Sequence, residues 1–177
     1  MSHVSHPPTP KNEPILSYAP GTNERNEIKK ALKNQMAQTL EIPMIIGGKE
    51  VASGDLADCR CPHDHQHLLG RYHKAKGEHV QAAIGAAKRA APAWSAMGWE
   101  ERAAIFLKAA DLLATKYRPI LNAATMLGQS KNIFQAEIDA ACELIDFWRF
   151  NVAYARQLHE MQPESAPGTW NRMEYRP

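Results

Sequence analysis

Apolar residues recur at helical spacing over most of residues 77–159, and they alternate or cluster between residues 43 and 75, so a short β section sits within a mainly helical chain. Ile28, Leu32 and Met36 fall four apart on one face and predict a first helix from about Asn23, a plausible cap, to about Gln38. Pro43 to Ile46 and Lys49 to Ala52 flank Gly47-Gly48, a pair that tolerates the positive φ angles of a tight hairpin. Leu68 to Ala75 predicts a further strand, and the polar stretch 53–67 before it is rich in turn formers. Val80, Ala83, Ile84 and Ala87 stripe a helix that should end near Pro92, because proline opposes a helix interior. Ala103, Phe106, Leu107, Ala110 and Leu113 mark one side of the helix after Gly98. Pro119 suits the first turn of the next helix and Gly128 the position just past its end. The longest helix should run from roughly Asn132 to His159, with Phe134, Ile138, Ala141, Cys142, Ile145 and Trp148 on its apolar face.

The two ends differ from this pattern. Residues 1–20 hold five of the twelve prolines and show no periodicity, which predicts an extended arm lying on the surface or on a neighbouring subunit. The tail GTWNRMEYRP alternates Trp170, Arg172, Glu174 and Arg176 with Asn171, Met173 and Tyr175, which predicts a strand with nothing after it to pair. An unpaired terminal strand leads to the expectation that more chain follows. The organisation read from the sequence is therefore an arm over 1–20, a helical and hairpin part over 21–162, and the start of a β segment over 163–177.

Composition narrows the partners. With 44% apolar and 23% charged residues in 177, the chain is ordinary for a soluble domain with a sizeable core. A formal charge of +2, with signs alternating along the helices, argues against nucleic acid or an anionic membrane as the main partner. No apolar run approaches the length of a membrane span, and MSHVSHPPTPKNEP has neither a secretory core nor an Arg-rich transit pattern. Three cysteines do not make a disulfide framework, so a reducing cytoplasm is expected.

Candidate chemistry is sparse. Cys59, Cys61, His63, His65 and His67 would share one side of a single strand, yet zinc sites use other spacings, and steps of about 7 Å along a strand spread the five too far for one ion. A polar β edge is favoured over a metal module. Cys142 lies on an apolar helix stripe, where cysteine acts as a small hydrophobe, and Cys59 and Cys61 lack an orienting third group, so none is assigned as a nucleophile. Neither G-x-G-x-x-G nor G-x-x-x-x-G-K-[ST] occurs, so no residue here is assigned to a cofactor. Glu143 stands out among the carboxylates. Its helical neighbours Asp139, Ala140, Asp146 and Phe147 offer no cation, whereas Asp146 has Arg149 one turn on. An unpaired acid beside Phe147 and Phe150 would suit an ammonium group; a solvated acid, or one paired with a distant lysine, fits the spacing as well.

Three stretches together resemble one family. EERAAIFLKAADLL (100–113) resembles an N-terminal helix of the aldehyde dehydrogenases, and LGQSKN (127–132) stands where that superfamily commonly has a Gly-Lys pair. QAEIDAACELIDFWRFNVAYA (135–155), with NEPILSYAPGTNER and NRMEYRP, resembles the glutamate-semialdehyde (pyrroline-5-carboxylate) dehydrogenases from about Asn12 to Pro177. The resemblance implies an α/β, aldehyde dehydrogenase-like fold, of which this chain would be the mainly helical N-terminal part. Residues 21–162 would be the N-terminal helical and β-hairpin part of the cofactor-binding domain and residues 163–177 would open a β oligomerisation flap. It further implies NAD-dependent oxidation of glutamate semialdehyde to glutamate through a cysteine thiohemiacetal, in an enzyme that is a homo-oligomer at full length. The nucleophile, the NAD site and the catalytic domain would lie outside this chain, leaving it inactive by itself. Glu143 matches the helix glutamate that lies near the substrate's α-amino group in that family. A self-standing helical binding or regulatory protein is the alternative of a different class.

Overall fold

A computed structural model describes residues 7–176. Helices α1 (Asn23–Met36), α2 (Gly77–Ala96), α3 (Trp99–Leu112), α4 (Arg118–Gln129), α5 (Ile133–Ala136) and α6 (Glu143–Glu160) accompany strands β1 (Leu40–Ile42), β2 (Met44–Ile46), β3 (Lys49–Val51), β4 (Leu56–Cys61) and β5 (Asp64–His73), all of which lie between α1 and α2 in the chain. Wide π-type turns fill Leu113–Tyr117 and Glu137–Cys142, so α3 runs on into α4, and α5 into α6, without a break. Two long helical rods result, each carrying one π insertion, and the insertions touch each other. Such insertions rotate the side chains that follow and are frequent near functional sites.

The hairpin is as read: β2 and β3 pair antiparallel around Gly47 and Gly48, whose φ angles are +59° and +76°. The sheet beside it is larger than the sequence predicts. Residues 53–67 hold β4 and the start of β5, and the order is β1-β5-β4, with β1 parallel to β5 and β4 antiparallel to it. β1 and β4 were hidden by their shortness and by the charges on their exposed faces, which dilute the apolar alternation that marks a strand. Gly70 is required where β1 meets β5, since a Cβ there would lie 2.7 Å from the Leu40 carbonyl oxygen. His73 ties the sheet to its surroundings: its Nδ1 accepts from Gly54 N at 3.2 Å, and its Nε2 lies 2.9 Å from Glu41 Oε1.

Other boundaries also need correction. α2 continues through Pro92 to Ala96, so the proline is accommodated inside the helix. Its stripe is not a core face either, because none of its residues is buried. Gly128 lies within α4, and the left-handed cap is Ser130 (φ +56°). Pro119 does occupy the first turn. Asn132, where the sequence starts the longest helix, caps α5: its Oδ1 accepts from Gln135 N at 2.9 Å, while Gln135 Oε1 accepts from Asn132 N at 3.1 Å. On the long apolar face, Ala141, Cys142 and Ile145 are buried, but Phe134 is 62% exposed. The tail up to Arg176 forms no strand, for it has no neighbour to complete a ladder; it bends back so that Tyr175 meets the edge of His159, which stacks on Trp99.

Two apolar clusters hold the helices together, one between the rods and one tying the arm and α1 to α4. Ala110, Leu113, Ala141 and Ile145 lie between α3 and the long second rod. Tyr18, Ile28 and Ala123 form the other, so the N-terminal arm is inserted into the core and does not merely rest on the surface.

Candidate functional site

The buried charge of the molecule lies where the two π turns meet. Glu137 is fully buried, at the start of one π turn, and Arg118 directly follows the other. Arg118 Nη2 donates to Glu137 Oε1 at 2.5 Å and Nε donates to Oε2 at 3.2 Å. The same carboxylate accepts from Leu16 N (2.8 Å), Tyr18 Oη (2.7 Å) and Asn122 Nδ2 (2.8 Å). Burial works to raise the Glu137 carboxyl, but Arg118 and the Leu16 and Tyr18 donors outweigh it and hold the group below the usual carboxylate range. Burial likewise opposes the Arg118 charge, and Glu137 and Glu13 more than offset that opposition. Burial and the Glu137 charge together keep the Tyr18 phenol protonated. Sequence reading missed this pair. A signal existed, since Glu137, Ala141 and Ile145 stand four apart and share the buried face.

The arm completes the network. Arg118 also donates to Glu13 Oε1 (2.5 Å) and to the Pro14 carbonyl (2.7 Å). Glu13 Oε2 accepts from Arg149 Nη1 at 2.6 Å. Asp146 therefore does not take Arg149, the partner its spacing suggests. Its two oxygens accept from Asn12 Nδ2 and Glu13 N, each at 2.7 Å.

Glu143 opens α6 immediately after the second π turn. It is exposed, as are Phe147 and Tyr154 on later turns, and among the described residues its carboxylate has no hydrogen-bond or ion-pair partner. With Asn12, Asp146, Phe147, Phe150, Asn151 and Tyr154 it lines a groove of about 390 Å³. Two carboxylates and three aromatic side chains in one groove are groups that a small organic cation can use. A more apolar groove of about 480 Å³ adjoins it, shares Phe147 and Asn151, and is walled by Trp94, Trp99, Phe106 and Trp148.

The remaining candidates separate. Cys142 is buried, 3.5 Å from Arg118 Nη2, and its thiol is pushed up to about 11, chiefly by burial, which makes it a poor nucleophile at neutral pH. The Cys/His segment is not one strand. Cys59 and Cys61 lie on β4, Pro62 and His63 turn, and His65 and His67 lie on β5. His63 is engaged at both nitrogens, 3.3 Å from Cys61 Sγ and 2.9 Å from Ser130 Oγ. Among the described residues, no three metal-ligating side chains converge. Gly47 and Gly48 make a hairpin, and the strand-to-helix turn from β5 to α2 is closed by His79 Nδ1, which accepts from Lys76 N at 2.9 Å. No helix among the described residues is long and apolar enough to cross a membrane.

Residues 50–177 match the model of the Aldehyde dehydrogenase family. A probable delta-1-pyrroline-5-carboxylate dehydrogenase of Schizosaccharomyces pombe is 52% identical over 172 residues, 96% of this chain and 31% of that protein. The mitochondrial delta-1-pyrroline-5-carboxylate dehydrogenase of Dictyostelium discoideum is 43% identical across all of this chain and 32% of its own length. The crystal structure of the Mycobacterium tuberculosis enzyme bound with NAD superposes with a TM-score of 0.97 at 48% identity, over 100% of this chain and 33% of that one. This chain thus spans about a third of the length of the relatives it matches, and its fold is the mainly helical portion of theirs. With the family model covering most of its residues, the chain belongs to the aldehyde dehydrogenase family.

Proposed function

We propose that this chain is the N-terminal part of an NAD-dependent enzyme that oxidises L-glutamate γ-semialdehyde to L-glutamate, with Glu143 facing the substrate's ammonium group. The observation that carries the reading is 52% identity, sustained over 96% of the chain, to a protein named for that activity. The unpartnered Glu143 carboxylate supports it, standing in a groove with a second acid and aromatic walls.

On this reading the nucleophilic cysteine and the NAD site belong to polypeptide outside residues 1–177. Cys61 and Cys142 are buried, which does not suit the nucleophile's role, and among the described residues no glycine-rich strand-to-helix turn offers itself to the pyrophosphate. Residues 21–162 form the N-terminal helical and hairpin part of the cofactor-binding domain, residues 163–177 begin a flap that pairs on oligomerisation, and the isolated chain is inactive. Exposed Val80, Ile84, Ile105 and Phe106 fit helices awaiting a partner layer and count against a self-standing helical module. Three free cysteines fit a reducing compartment, which we take to be the cytoplasm; fractionation with mitochondria, as the name of the Dictyostelium relative suggests for that protein, would replace that assignment.

Glu143 contributes selectivity through a charge-assisted contact that an aldehyde lacking the amino group cannot make. In the full-length enzyme, Glu143→Ala should raise KM for glutamate semialdehyde more than for simple aliphatic aldehydes. Equal effects on both classes would remove Glu143 from the recognition site.

A further inference from the structure

We propose that Asn12 is a positioning residue for substrate recognition: through Asp146 it keeps a second carboxylate, paired with no cation among the described residues, facing the groove beside Glu143. The inference rests on the reading of Glu143 just given. Asp146 stands three residues beyond Glu143 on α6, and residues so spaced are neighbours on a helix surface. Helical spacing alone would pair Asp146 with Arg149 and cancel its charge. The arm prevents this. Glu13 draws Arg149 to its own Oε2 (2.6 Å), and Arg118 occupies the other oxygen (2.5 Å). Asp146 is left with two uncharged donors, the Asn12 amide and the Glu13 backbone N–H, both at 2.7 Å. Such donors fix both oxygens without neutralising them.

Charge counting supports the point. The linked group contains three carboxylates, Glu13, Glu137 and Asp146, against two guanidinium groups, Arg118 and Arg149. One negative charge is uncompensated, and Asp146, the member without a cation, is the one that lines the groove. An α-ammonium entering the groove therefore meets two anions, one free and one held. An aldehyde of the same length without the amino group gains nothing from either.

The test is steady-state kinetics of the full-length enzyme with glutamate semialdehyde and with 5-oxopentanoate, which differs only in lacking the amino group. Asp146→Asn should raise KM for glutamate semialdehyde roughly fivefold, and Asn12→Ala roughly threefold, the upper range for exposed charge contacts, with kcat and the 5-oxopentanoate KM little changed. Asn12→Gln, which keeps the amide, should recover part of the loss. Asn12→Ala added to Asp146→Asn should bring no further effect, because Asn12 acts through Asp146. Equal KM changes for both substrates, or additive losses in the double variant, would overturn the proposal in favour of a purely structural arm. If Asn12→Ala fails to fold, Asp146→Asn alone decides by the same substrate comparison. Glu143→Gln separates the two claims: loss of amino preference in Glu143→Gln but not in Asp146→Asn sinks only this inference. No loss in Glu143→Gln sinks the reading beneath it.

Discussion

Glu137 and Arg118 show how a single buried ion pair organises this molecule, since the carboxylate accepts from the arm, from α4 and from the arginine at once. Glu137→Gln leaves the buried guanidinium undercompensated, and urea unfolding should register a loss of about 3–5 kcal/mol; a change within error would show the pair to be dispensable. The sign of the pH effect follows from the depressed carboxyl. Its contribution is complete above about 4.5, the ordinary value, and is lost as pH falls through the lower folded value. Acid titration of wild type and Glu137→Gln should therefore converge below that range. Gly70→Ala sets a Cβ against the Leu40 carbonyl at 2.7 Å, a backbone atom that cannot step aside, so its melting temperature should fall. At this scale the sequence was legible where spacing decides burial. Cys142 and Ile145 fall on the apolar stripe and are buried, and Glu143 has no cation within reach on its own helix. It failed where partners are remote: Arg149 was assigned to Asp146 three residues away, while its true partner Glu13 lies 136 positions distant.

The helices were legible because their apolar spacing persists over several turns, and the hairpin because Gly47-Gly48 forces its geometry. β4 and β1 were not, for six residues in one and three wholly exposed residues in the other carry too little pattern. The π turns were invisible as well, as a single added residue per turn only blurs the period. α2 is the least anchored of the long helices, with no buried residue, whereas α6 buries Ile145 and Val152. Hydrogen exchange on the isolated chain should find α2 amides exchanging well before those of α6. The reverse order would mean that α2 packs in a way its exposure does not reveal.

Taken whole, the chain is a helical wall with a charged seam inside and unpartnered apolar faces outside, which suits one portion of a larger dehydrogenase. The candidate groove was half legible: Glu143 and its aromatic neighbours follow from one helix, but Asn12 reaches the groove only through the tertiary fold. The most direct test is an NADH-formation assay with glutamate semialdehyde on the 177-residue chain and on the longer protein that contains it. The account predicts glutamate and NADH from the longer protein and none from the 177 residues alone. NADH from the short chain, or its absence from the long one, would contradict it.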